Sequence, residues 1–344
     1  MKNTYQVAMV MVTAALCAAL LLAPAPGLGQ TPAPATARDQ AVRAQRLAEQ
    51  LERNARVLTV FDRQGKVLST VGERAIYRDP VFSPDRTRLA VVKLDLESDT
   101  EDLWVLDVAS GKSTRITSNQ TRARNRHPVW SPDGSQVAYV TFGSGYFSLY
   151  RKASNGEGTE ELLYQNPADA GGWSIGDWSM DGRFLSSSTA DGTGYALPLA
   201  GDGERKPIEV FRSKLRVGGS SFSPDSRFLA YNASNQSGQT ELYVRPFDPS
   251  AGAGATAAAG PWQVSNQGAQ GAANWRRDGK EIHYVAADGG VMVVEVSTAS
   301  TFKFGKPKLL FRPPQEVPVA WFLINVSRDG QRVVIAVPHA PTLH

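Results

Sequence analysis

One ten-residue stretch constrains the fold of this chain more than any other: Trp130-Ser131-Pro132-Asp133-Gly134-Ser135-Gln136-Val137-Ala138-Tyr139. It joins an aromatic residue, a four-residue turn and an alternating apolar run, and it returns five more times in altered form. A unit repeated along a chain buries its apolar faces against neighbouring copies, so the repeat sets the architecture. The turn aspartates are Asp85, Asp133, Asp181, Asp225, Asp278 and Asp329, at intervals of 48, 48, 44, 53 and 51 residues. A four-stranded propeller blade typically spans ~40 to 50 residues. Three positions before each aspartate stand Phe82, Trp130, Trp178, Phe222, Trp275 and Val326, bulky side chains suited to the space between blades.

The turn chemistry is local. Ser131 can bond the backbone, Pro132 presets φ, and Gly134 supplies the last position of a type I turn. Ser83-Pro84-Asp85-Arg86 and Ser223-Pro224-Asp225-Ser226 lack the glycine, whereas the copies at Asp181, Asp278 and Asp329 lack the proline. The aspartate is the constant member, and we read it as a structural acceptor of turn amides rather than a catalytic group.

Each turn is followed by a second alternating strand, such as Leu89-Ala90-Val91, then a third, such as Leu103-Trp104-Val105-Leu106-Asp107, and a short outer one. The sixth copy is cut short by Pro338 and Pro341. Val57 to Asp62, followed by Gly65-Lys66-Val67-Leu68, parallels Leu103 to Asp107 followed by Gly111-Lys112. The expected fold is therefore an all-β, six-bladed β-propeller over residues 57–338, closed by pairing of N- and C-terminal strands so that no edge stays open.

Upstream, Lys2 precedes an apolar run from Val7 to Ala25, and Gly27 and Gly29 are small residues before Gln30, so residues 1–29 read as a signal peptide. The single cysteine, Cys17, is preceded by Leu16, which argues against lipid attachment. An uncleaved leader would be the one route to membrane attachment, since its apolar run approaches the ~20 residues that span a bilayer. A Pro/Ala linker (30–40), a short amphipathic helix (41–56) and a tail (339–344) complete the expected organisation. The expected location is periplasmic or secreted, as a monomer.

The aromatic-Ser-Pro-Asp-Gly units from about Leu58 to Val337 resemble the TolB-type six-bladed propellers, also called WD-like propeller repeats. Such propellers also occur attached to prolyl-oligopeptidase-type peptidases. The resemblance implies a non-enzymatic propeller that binds a protein or cell-envelope component. The α/β domain that precedes the propeller in TolB has no room between Gln30 and Val57.

Function classes narrow further. The 37 basic and 33 acidic residues are scattered, with no basic block to track a phosphate backbone, so no nucleic-acid partner is expected. No Gly-x-Ser-x-Gly elbow stands in a strand-to-helix context. His127, His283, His339 and His344 include no pair at metal-ligand spacing, and neither a metal nor another cofactor is expected. Asp95, Glu97, Asp99, Glu101 and Asp102 read as a solvated acidic loop, because the glycine and terminal glutamate of a calcium loop are missing. The Ala/Gly stretch from Ser250 to Gly260 reads as a flexible outer loop.

Counting back from the turn aspartates along each innermost strand leads to the expected channel mouth. Tyr77, Arg78, Asp79, Arg126, His127, Trp173 and Trp321 emerge as candidate ligand-binding residues. Aromatic faces and guanidinium groups suit an anionic or sugar-like ligand or a peptide loop. The alternative packing role buries the aromatics and pairs the arginines with Asp79 or Asp177. A metal-dependent lyase or lactonase-like propeller acting on a sugar or anionic substrate is the alternative function.

Overall fold

The computed structural model describes residues 37–118, 124–143, 146–167, 173–200, 205–213, 217–235, 237–250, 260–314 and 323–338. The leader, the tail, most of the Ala/Gly stretch and Trp321 lie outside the described residues. Two units are present, one ending at Asn54 and one beginning at Ala55. The first holds helix α1 (Ala37–Asn54), which starts inside the expected linker and stops two residues before the expected end. Asp39 in its first turn and Arg53 in its last complement the helix dipole. Among the described residues no helix is long and apolar enough to cross a membrane.

The second unit is built from antiparallel meanders. Strands β1 (Arg56–Asp62) and β2 (Val67–Phe82) open it, followed by β3 (Arg88–Asp95), β4 (Thr100–Asp107) and β5 (Ser113–Arg115). The next meander is β6 (Arg124–Trp130), β7 (Gln136–Gly143), β8 (Tyr146–Ala153) and β9 (Glu161–Pro167). Then come β10 (Trp173–Trp178), β11 (Phe184–Thr189), β12 (Thr193–Pro198) and β13 (Ile208–Arg212). A fourth meander holds β14 (Val217–Phe222), β15 (Phe228–Ser234), β16 (Thr240–Pro246) and β17 (Trp262–Gln263). The fifth holds β18 (Gln270–Trp275), β19 (Glu281–Val285) and β20 (Val291–Ser297), with β21 (Lys303–Phe304) and β22 (Lys308–Phe311) both on β20. Last are β23 (Ile324–Val326) and β24 (Arg332–Pro338).

Strand β2 serves two groups. Its first part pairs with β1, and the part from Ile76 onward pairs with β3. Strand β1 in turn pairs with β24 along its whole length, from Arg56↔Pro338 to Asp62↔Arg332. The first and last described strands therefore lie side by side in the order β23-β24-β1-β2.

The six turns are one structure in six copies. In five of them a serine hydroxyl donates to the aspartate Oδ1, as Ser131 does to Asp133 at 2.6 Å, and Arg276 replaces it at Asp278. That oxygen also accepts the amide two residues on, for example Ser135 N at 3.0 Å. These bonds hold all six carboxyls below the usual carboxylate range. At Asp133 the Ser131 hydroxyl contributes most, and at Asp278 the Arg276 guanidinium does. At Asp85, Asp181, Asp225 and Asp329 burial is the largest influence and pulls upward, but the hydrogen bonds together outweigh it. The residue after each aspartate has φ between +55° and +76° whether or not it is glycine, including Arg86 (+64°) and Ser226 (+55°). The expected type I turn thus ends on a left-handed residue, a conformation that costs a non-glycine ~1–2 kcal/mol.

The aromatic that precedes each turn is buried, at 1–4% exposure for Phe82, Trp130, Trp178, Phe222 and Trp275. The apolar cores lie between consecutive meanders rather than within them. One joins Val129 and Leu149 to Ile175 and Trp178, the next joins Phe211 to Phe222 and Tyr231, and a third joins Phe228 and Leu242 to Trp275 and Ile282. A further core brings Val285 and Phe311 of the fifth meander against Leu58, Val334 and Ile335.

Candidate functional site: a cavity shared by the innermost strands

Each meander from the first to the fifth begins with a strand that slips register at the same place. The irregularities fall between Arg78 and Val81, Arg126 and Val129, Ile175 and Asp177, Val217 and Ser220, and Gln270 and Asn274. A bulge leaves a residue out of the ladder and re-aims its side chain. The bulged segments surround one cavity of about 140 Å³, walled by residues that include Asp79, His127, Ile175, Ser221, Asn274 and Asn325.

Asp79 and His127 occupy equivalent places in successive copies, each before a proline, and each has positive φ (+48° and +55°). A non-glycine residue before proline disfavours this region, and such strain costs of order 1–3 kcal/mol. A hydrogen bond between the two copies supports it: the His127 amide donates to Asp79 Oδ2 at 3.1 Å, and His127 Nδ1 lies 3.8 Å from the same oxygen. The Phe82 amide likewise donates to Asn325 Oδ1 at 3.2 Å, and the Phe222 amide to Asp177 Oδ2 at 3.1 Å. Polar side chains on one innermost strand thereby satisfy the backbone of the next.

Arg78 and Arg126 converge on Glu101, which the sequence pattern places in a solvated acidic loop. Glu101 stands in β4, is 2% exposed, and receives Arg126 Nε at 2.5 Å and Nη2 at 2.8 Å, with Arg78 Nε 3.6 Å away. The single parallel pairing Glu101↔Arg124 between β4 and β6 puts the carboxylate beside the second copy. Hydrogen bonding to Glu101 raises the Arg126 guanidinium pKa further. The acidic segment therefore divides: Asp95, Glu97 and Asp99 lie at the exposed hairpin, whereas Glu101 and Asp102 are buried partners of Arg126 and Arg115. The strand alternation around Leu103 to Asp107 carried this signal, because it extends back through Glu101.

The aromatic candidates are placed differently from the expected pocket. Tyr77 is 2% exposed and donates to Glu73 O at 2.8 Å, and burial pushes its hydroxyl pKa up to about 12. Trp173 is 6% exposed and stacked between Tyr164 and Tyr195, at 4.9 and 5.3 Å. Neither presents an open face to the cavity.

At the turn end of the strands, Arg328 reaches from the sixth turn to the third copy. Its Nη2 donates to Asp177 Oδ1 at 2.5 Å, and its Nη1 meets Met180 Sδ at 3.2 Å. Burial raises the Asp177 carboxyl above the usual carboxylate range, and Arg328 and two backbone amides limit the rise. Among the described residues no three His, Cys, Asp or Glu side chains are grouped as ion ligands.

Comparison with known proteins agrees with this architecture. No protein-family model matches the chain. It is 29% identical over 160 residues to the uncharacterized peptidase YuxL of Bacillus subtilis, a match covering 45% of this chain and only 23% of that relative. Among solved structures, a protein of Agrobacterium tumefaciens assigned to TolB superposes with a TM-score of 0.61 at 18% identity, covering 83% of this chain and 99% of the other. TolB from Acinetobacter baumannii gives 0.51 at 16% identity, covering 83% and 73%. The chain carries a TolB-like β-propeller fold.

Proposed function

We propose that the meanders form six blades closed at the β1–β24 pairing, and that the propeller is an exported, non-enzymatic module whose cavity receives a segment of a protein or cell-envelope partner. One observation carries this reading. Innermost strands from all the repeat copies wall a single cavity, and two of its wall residues are held in strained backbone by hydrogen bonding between copies. Strain that surrounding structure over-determines tends to cluster at functional sites. The likeness to a peptidase-named relative supports a peptide as the class of ligand. The likeness to TolB supports the propeller frame, and the apolar run from Val7 to Ala25 supports export.

The test is a photo-cross-linking residue at Gln270, on the cavity wall, compared with one at the exposed Lys303 of β21. The expected result is one envelope or periplasmic protein captured in cells from position 270 and absent from position 303. Identical products at both positions, or none from 270, would overturn the reading.

A further inference from the structure

Charge accounting around the cavity singles out one carboxylate. Among the described wall residues the charged or titratable side chains are Asp79, His127, Asp177, Arg328 and Tyr284, whose hydroxyl burial pushes up to about 12 and so keeps neutral. Asp177 and Arg328 neutralise each other through their 2.5 Å bond. The nearby Arg126 is committed to Glu101 by two hydrogen bonds. Asp79 is 9% exposed and feels the Arg126 charge through space, and its two close contacts, with the His127 amide and with Nδ1, fall on Oδ2. Its Oδ1 accepts no hydrogen bond from the described residues. A carboxylate accepts at both oxygens, so the Oδ1 left accessible on the cavity wall can take a donor from a ligand. Ser221 Oγ, on the same cavity wall and 4% exposed, is likewise without a partner.

The donor must be small. An apolar cavity of about 150 Å³ admits a molecule the size of benzene, so the 140 Å³ here suits the end of one side chain or a single terminal residue. A primary ammonium is compact, carries the opposite charge and has three donors.

We propose that Asp79 binds a protonated primary amine, with Ser221 Oγ as a further acceptor in the same cavity. This deepens the partner-binding reading and rests on it for the amine's source, which is a lysine side chain or the amino terminus of the inserted segment.

Calorimetric titration of the purified protein tests the site with n-butylamine, Nα-acetyl-lysine methylamide and glycylglycine, against 1-butanol, the neutral isostere of n-butylamine. Amines should saturate and the isostere should not, and the stronger of the lysine and glycylglycine arms identifies the source. Asp79→Asn should weaken amine binding at least about tenfold, while Lys303→Ala leaves it unchanged. Asparagine tolerates the left-handed backbone and can still accept the His127 amide; if the variant nevertheless misfolds, the amine–isostere contrast in the wild type decides alone. No amine binding up to about 50 mM, or equal binding of the isostere, would overturn the site. A cross-linked partner whose capture ignores Asp79→Asn would overturn the amine site and leave the partner reading standing. Amine binding with no captured partner would do the reverse.

Discussion

Arg328 and Asp177 are 151 positions apart in the chain and joined by a 2.5 Å hydrogen bond between Nη2 and Oδ1. The two residues belong to copies three repeats apart, so the pair ties together segments that no single hairpin could connect. Arg328→Ala strands the buried carboxylate, and the expected cost is ~3 kcal/mol at neutral pH, measured by urea unfolding. A carboxyl raised in the folded state destabilises that state as pH rises through the raised range. The penalty should therefore shrink as pH falls toward the ordinary carboxylate range and the group protonates. A penalty that is flat with pH would show that Asp177 is not the stranded group.

Glu101 should matter more to stability than either arginine it serves. Glu101→Gln removes the buried carboxylate that Arg126 and Arg78 share, at an expected cost of ~2 kcal/mol. Arg78, a third exposed and 3.6 Å away, should cost no more than ~0.5 kcal/mol when replaced by alanine. A double-mutant cycle between Glu101 and Arg126 checks the assignment, since their coupling should exceed that between Glu101 and Arg78.

Ser226 offers a stabilising substitution. It holds φ +55° where other copies place glycine, and its Oγ is buried without a partner. Ser226→Gly relieves both features and is expected to stabilise the fold by ~1 kcal/mol, raising the urea midpoint without changing the slope. The equivalent change at Arg86 should gain less, because Arg86 also pairs with Asp329.

His283 makes stability depend on pH. It is fully buried, and desolvation lowers its pKa from 6.5 to about 4, with Glu281 opposing and Arg63 reinforcing the shift. Below pH 6.5 the unfolded chain takes up a proton that the folded chain refuses until about pH 4. Stability contributed by neutral His283 is therefore complete above pH 6.5 and is lost as pH falls through that window. His283→Gln should show a shallower decline in unfolding free energy between these limits than the wild type. Parallel profiles would remove His283 as the cause.

The pairing of Val57 with Val337 can be locked. Directly opposed residues in an antiparallel ladder have Cα atoms ~4.5–5.5 Å apart, within disulfide reach. Val57→Cys/Val337→Cys should oxidise readily and add ~4 kcal/mol, given the long loop it closes. Reduced and oxidised samples compared by thermal unfolding provide the check, and a pair that stays reduced in air would contradict the pairing.

The repeat was legible in the sequence because its bonds are local. Ser131, Asp133 and Ser135 satisfy one another within five positions of chain, so side-chain chemistry alone dictates the turn and the strands on either side. The partnership of β1 with β24 was legible too, since an unfinished last copy and a spare first strand share one pattern. The site was legible only in part. Counting along the repeat led to Asp79, His127, Arg78 and Arg126, but it could not say that Tyr77 and Trp173 bury their rings or that Arg126 spends its charge on Glu101. Which group compensates a charge depends on how neighbouring copies pack, because Coulomb attraction and desolvation act through space and not along the chain. By itself the sequence determined the turns, the strands and their order. Only the tertiary structure decided which carboxylates are spoken for and that Asp79 keeps one oxygen open to the cavity.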